Sequence, residues 1–216
     1  NAAFTELFTG MSTFSMITAE ARAEVADMVV VLERQGVALG DASAGLETFT
    51  KMMGQTATEA ARSLSEISAL AIDLGVAPSQ MAADFAKIGP ELAKLGSDGE
   101  KAFKDLARTA KNTGLEMSKL LAITNKFDTF EGAAEAAGSL NAALGGNFVN
   151  AMDLMMETDP TARFSMIRDA IDDAGLSFDD MSYYQRQFYA NALGLDSVGD
   201  LALALSGDMS ALGDEV

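Results

Sequence analysis

Four times along this sequence a glycine is followed by an apolar residue and then by a proline or a capping residue. The stretches are Gly75-Val76-Ala77-Pro78, Gly114-Leu115-Glu116-Met117-Ser118, Gly175-Leu176-Ser177-Phe178 and Gly194-Leu195-Asp196-Ser197. A glycine at such a place takes the left-handed backbone that closes the carbonyl end of a helix, and the apolar residue after it folds back onto the last turn. The next residues then start a new helix. The corners are unequally spaced, so a fixed-period solenoid is not supported. Short helices meeting at sharp corners specify a compact array, whereas a long rod needs uninterrupted heptads.

Between the corners, apolar residues recur at helical spacing. Ala57, Ala60, Leu64, Ile67, Ala71 and Leu74 lay one stripe along a helix, with Glu59, Arg62, Ser63, Glu66 and Asp73 mostly off it. A second helix is predicted from about Asp98 to Asn112, with Ser97 and Glu100 as a capping box and Phe103, Leu106, Ala107 and Ala110 facing inward. A third opens at Asp159-Pro160, where the carboxylate accepts from free amides and the proline has none to leave unpaired, and runs through Phe164, Ile167 and Ile171 to Gly175. A fourth places Met181, Tyr184, Phe188 and Ala192 on one face and stops at Gly194. Val29-Val30-Val31-Leu32 is β-branched, but its frame from Ala19 to Arg34 has helical charge spacing and a Gly36 stop, so it too reads as helix. The expectation is an all-α chain of eight to ten short helices with no sheet.

Gly36, Gly40, Gly45 and Gly54 punctuate a weakly periodic stretch. They predict a boundary there, with residues 1–54 forming a separate helical arm that exposes Phe4, Phe8, Phe14 and Met16, and residues 55–216 forming a helical module. The chain opens on Asn1 and closes on Gly213-Asp214-Glu215-Val216, and reads as a segment of a longer one. Neither long uncharged run is a membrane span: Leu7 to Ala19 is short, and Ala136 to Met152 is broken by Asn and Gly.

Composition removes several chemistries. The 216 residues include no His and no Cys, which takes away the commonest general base, nitrogen and thiolate metal ligands, thiol nucleophiles and disulfides. The formal charge of −17, without a basic run or stripe, opposes specific nucleic-acid binding. Gly36, Gly40 and Gly45 lack the Gly-Lys-Ser/Thr ending of a phosphate loop, and no S-x-x-K signature occurs. Asp172-Asp173 and Asp179-Asp180 bracket a turn but have no calcium-loop spacing, and read as solvated helix ends. No catalytic group, cofactor or metal is expected. With no Trp and 13 Met, the core must be filled by small residues and flexible thioethers.

Aromatic residues collect in two places, Phe127, Phe130 and Phe148, then Tyr183, Tyr184, Phe188 and Tyr189. Aromatics at helical spacing bury well in a core. The second group spans more than one helix face, however, so part of it meets solvent or a partner. All seven are therefore candidates for a protein interface.

The run from Asn125 to Met152 (NKFDTFEGAAEAAGSLNAALGGNFVNAM), then Thr158 to Phe164 and Met181 to Arg186, resembles a stretch found in the tail tape-measure proteins of tailed bacteriophages. So does Leu74 to Ala77 through Lys87 to Pro90. The resemblance spans roughly residues 70 to 207. It implies a non-enzymatic structural protein of the virion, a long helical chain that sits in the tail tube, sets its length and is held at the tail tip or baseplate. Assembly in the host cytoplasm, self-association as a trimer or hexamer, and contacts with tube and baseplate or tail-tip proteins follow from the same resemblance. No wall-hydrolase motif is visible, so a lytic role does not carry over. The frequent helix breaks suit a folded module near one end of such a ruler. A membrane-perturbing module, with a Met- and Phe-rich hairpin from Gly138 to Met156 opening onto a bilayer during genome delivery, is the alternative.

Overall fold

The computed structural model describes residues 2–206; Asn1 and the Gly213-to-Val216 end lie outside them. The helices are α1 Ala2–Gly10, α2 Ala19–Arg34, α3 Leu39–Glu47, α4 Ala57–Asp73, α5 Pro78–Leu92, α6 Gly99–Thr113, α7 Met117–Asn125, α8 Phe130–Leu144, α9 Ala151–Met156, α10 Pro160–Asp173, α11 Tyr183–Leu193 and α12 Val198–Ser206. Two 3₁₀ turns, Phe14–Met16 and Ala93–Asp98, and a π-helical turn, Thr48–Met52, complete the order. No strand occurs among the described residues, and the fold is all-α. The helices outnumber the expected eight to ten because the short α1, α9 and α12 carry too few residues to show a periodic stripe.

The four predicted corners close as their chemistry requires. Gly75, Gly114, Gly175 and Gly194 all have positive φ. The amides of Val76, Leu176 and Leu195 donate back to the carbonyls of Ala71, Ile171 and Ala190, each five residues earlier. These bonds satisfy carbonyls that a helix end leaves open. At Gly175, φ is +71° and open space surrounds the position where a Cβ would sit. Gly175→Val is therefore expected to act through backbone strain alone, costing about 1–2 kcal/mol. Thermal denaturation should show the loss, with Gly175→Asn affected less.

The chain divides into two units, residues 1–104 and 105–216, with the division inside α6. In the first, α1 packs on α3, α2 on α4, and α5 on both α3 and α4. The separate arm expected for residues 1–54 is thus corrected: its glycines mark corners between helices of one packed unit. Val25, Val29 and Leu32 of α2 and Leu46 and Phe49 beyond it are buried with Leu64, Ile67, Phe85 and Phe103. Phe4, Phe8 and Phe14 form a mutually touching triad with centroids 5.1–5.4 Å apart. Phe14 is fully buried in that triad, against expectation, while Phe8 and Met16 are exposed.

The capping box predicted at Ser97 and Glu100 is also corrected. Glu100 instead turns into the unit, where it accepts from Ser63 Oγ at 2.7 Å and Gln55 Nε2 at 2.9 Å and pairs with Lys104 Nζ at 2.7 Å. Lys104 reaches Glu66 as well. Burial pushes the Glu100 carboxyl up, but the hydrogen bonds from Lys104 and Ser63, the Lys104 charge and Gln55 together hold it below the ordinary glutamate range. A depressed folded-state pKa stabilises above the unfolded value, and that contribution disappears as pH falls through the folded value. Acid unfolding of Glu100→Gln should therefore show a weaker pH dependence below about pH 4.5 than the parent chain. Equal acid midpoint shifts in both would remove Glu100 from the account.

In the second unit α7 packs on α10, α8 on both α9 and α11, and α11 on α12. The predicted cap of α10 is formed, with Asp159 Oδ1 accepting from the amides of Thr161 and Ala162. Phe164, Ile167 and Ile171 are buried as their spacing requires.

Candidate functional site

The aromatic candidates separate by what each ring can reach. Tyr189 lies on the inner side of α11, and its hydroxyl donates to the Ala143 carbonyl at 2.7 Å. That carbonyl belongs to the last turn of α8, which has no amide of its own to offer it. Burial pushes the Tyr189 phenol up. Phe127, in the turn between α7 and α8, is also fully buried. Both are therefore core residues, and their candidacy as surface anchors is corrected.

The other five are exposed: Phe130 at 71%, Phe148 at 41%, Tyr183 at 69%, Tyr184 at 83% and Phe188 at 49%. Phe130 opens α8, and Phe148 lies in the loop that follows its end. Phe148 sits in a loop pinned by Asn141, whose side chain accepts from the Val149 amide at 2.7 Å and donates to the Val149 carbonyl at 2.8 Å.

Tyr183, Tyr184 and Phe188 do share α11. The Tyr183 and Tyr184 rings meet edge-on at 5.6 Å, and Tyr184 and Phe188 are four residues apart on one face. The inward stripe differs from the predicted one. Met181 precedes the helix, because Ser182 caps it through a box with Gln185. Counted from that cap, Tyr189, Ala190 and Leu193 face in, and Tyr184 and Phe188 face out.

The polar side chains around these rings are the part that sequence reasoning missed. Gln185, Gln187 and Asn191 are exposed beside them. From Met181 to Leu195 there is no Asp or Glu, in a chain with 32 of them. That gap was the available signal. The one charge of α11, Arg186, is turned aside: its guanidinium lies 4.3 Å from the Phe178 ring centroid and its Nε donates to the Phe178 carbonyl at 3.0 Å. The outer face of α11 is thus aromatic, amide-bearing and free of carboxylate.

The acidic pairs take no part in this surface. Asp172 and Asp173 are exposed at the end of α10, and Asp180 accepts from Ser177 Oγ at 2.6 Å in the turn that follows. Among the described residues no group of three acidic side chains is placed to hold a metal ion. No described helix is long and apolar enough to cross a membrane. Comparison with protein-family models, with curated proteins and with solved structures gives no match to this chain.

Proposed function

We propose that the chain is a structural protein working by protein-protein contact, a module of a phage tail tape-measure protein whose partners are its own copies and tube or baseplate proteins. The outer face of α11 carries the contact half of this reading. Tyrosine and phenylalanine anchors supply most of the energy of typical interfaces, and a site without carboxylates is where two acidic surfaces can approach with least repulsion. The tape-measure half is supported by the resemblance in residues 70–207.

Sedimentation of the full chain over a concentration series tests the contact. Replacing Tyr184 and Phe188 together by Ala should weaken self-association at least about tenfold while leaving helicity unchanged, since both rings are outside the core. Added salt should strengthen association, because screening acts on the carboxylates outside the patch. A monomer at all concentrations that also ignores tube and baseplate proteins would overturn this reading. Locating the chain in purified tailed particles and measuring tail length after in-frame deletion tests the ruler assignment.

The second reading, a membrane-perturbing segment, is favoured by one observation: Phe148, Met152 and Met156 are exposed around α9. Release of dye from vesicles of neutral lipid, abolished by Met152→Asp with Met156→Asp, is its expected signature.

A further inference from the structure

Two helix defects face the same open cleft in the first unit. The π-helical turn Thr48–Met52 forms one wall and the end of α5, with Pro90 inside the helix, forms the other. The cleft holds about 290 Å³ and is bordered by Ala44, Thr48, Met52, Ala86 and Pro90. The proline frees a backbone carbonyl, and a side-chain hydroxyl of the π turn stands on the opposite wall. Proline has no amide hydrogen, so the Ala86 carbonyl, four residues earlier, lacks its helical donor. Thr48 is only 6% exposed, and its hydroxyl has no hydrogen-bond partner among the described residues. The neighbouring hydroxyls are committed, Ser43 Oγ to the Gly40 carbonyl and Thr50 Oγ1 to the Leu46 carbonyl.

The walls are preformed rather than loose. Phe49 of the π turn stacks on Phe85 of α5 with centroids 4.5 Å apart, and Phe103 meets Phe85 edge-on at 4.9 Å. Charge at the rim is neutralised, because Lys51 pairs with Glu47, which also accepts from Ser12 Oγ at 2.8 Å. A hydroxyl that can donate and accept and a carbonyl without its helical donor, set in an apolar cleft at the small end of ligand-site volumes, define the complement: small, neutral, mostly aliphatic, with one donor and one acceptor. π-helical turns are frequent at functional sites.

We propose that this cleft binds a small neutral aliphatic amide, the chemistry of an apolar side chain together with its own peptide group. The amide N–H donates to the Ala86 carbonyl, the amide oxygen accepts from the Thr48 hydroxyl, and the aliphatic body lies on Ala44, Met52 and Pro90. This site is independent of the α11 surface.

N-acetyl-leucine methylamide, titrated into the full chain with labelled Ala and Met methyl groups, is the test. Saturable shifts at Ala44, Met52 and Ala86 are expected. Pro90→Ala returns an amide to the Ala86 carbonyl, so it should weaken binding roughly three- to tenfold while leaving the melting temperature equal or higher. Thr48→Val, which removes the hydroxyl at nearly constant shape, should weaken it similarly and serves in place of Pro90→Ala if that variant fails to fold. Absence of saturable shifts at these methyls, or affinity unchanged in the folded Pro90→Ala chain, would overturn the proposal.

Discussion

Arg163→Met should cost the second unit about 3–5 kcal/mol, read as a lower urea midpoint. The Arg163 side chain is only 5% exposed and is committed in three directions. One terminal nitrogen donates to the Thr124 carbonyl at 2.7 Å and to Asp128 Oδ1 at 2.8 Å, and Nε donates to the Glu157 carbonyl at 2.9 Å. Thr124 lies in the last turn of α7 and Glu157 caps the end of α9. A single guanidinium therefore satisfies the carbonyl at the end of α9, adds a second donor to the Thr124 carbonyl, which already accepts from the Phe127 amide at the end of α7, and holds both segments against α10. Methionine fills a similar volume but removes all of these bonds from a nearly buried site. Arg163→Lys should recover little, because one ammonium cannot reproduce the planar fork that reaches both helix ends. A variant as stable as the parent would mean that solvent replaces these bonds without loss.

Phe85→Ala should produce a comparable loss in the first unit, about 3–5 kcal/mol. Phe85 has no exposed surface and is held between the Phe49 ring and the edge of Phe103. The fit leaves little room for relaxation. A Cβ built on Gly89 would stand 3.0 Å from the Phe85 ring, and one on Gly45 3.3 Å from it. Removing the ring opens a void that its pinned neighbours cannot fill, which is the condition under which large-to-small substitutions cost most. Phe85→Leu should lose less, and the difference between the two variants measures how far the site collapses.

These two residues also mark what the sequence makes visible and what it does not. The corners were legible because every bond that closes them lies within five residues, so Val76 and Ala71, or Leu195 and Ala190, can be read from one short window. The Asp159-Pro160 start is visible for the same reason. Interactions between distant segments were not. Glu100 has the spacing of a capping residue, yet its carboxylate goes to Ser63, 37 residues away, where burial and a paired lysine offer more than the local amide. Tyr189 was counted as an interface candidate because nothing local shows that Ala143, 46 residues earlier, takes its hydroxyl. Gly45 looked like punctuation and is instead a place where a ring from another helix rests. The phase of α11 was mistaken for a different reason. Met181 is buried and sits one residue ahead of the Ser182 cap, so a stripe counted from it runs along the wrong side of the helix. The Ser182 and Gln185 pair was the local signal that sets the phase correctly.

The glycine corners have a consequence in time as well as in space. Each is complete when a few adjacent residues find their angles, so it can form while distant segments are still unfolded. Chains dominated by such near-neighbour contacts reach their native state in about microseconds to milliseconds, and helices joined this way need little search for their partners. For a chain with no disulfide to make, assembly speed rests on how quickly glycines such as Gly75 and Gly194 turn the backbone, and substitutions there should slow folding by most of their stability cost while leaving the unfolding rate nearly unchanged.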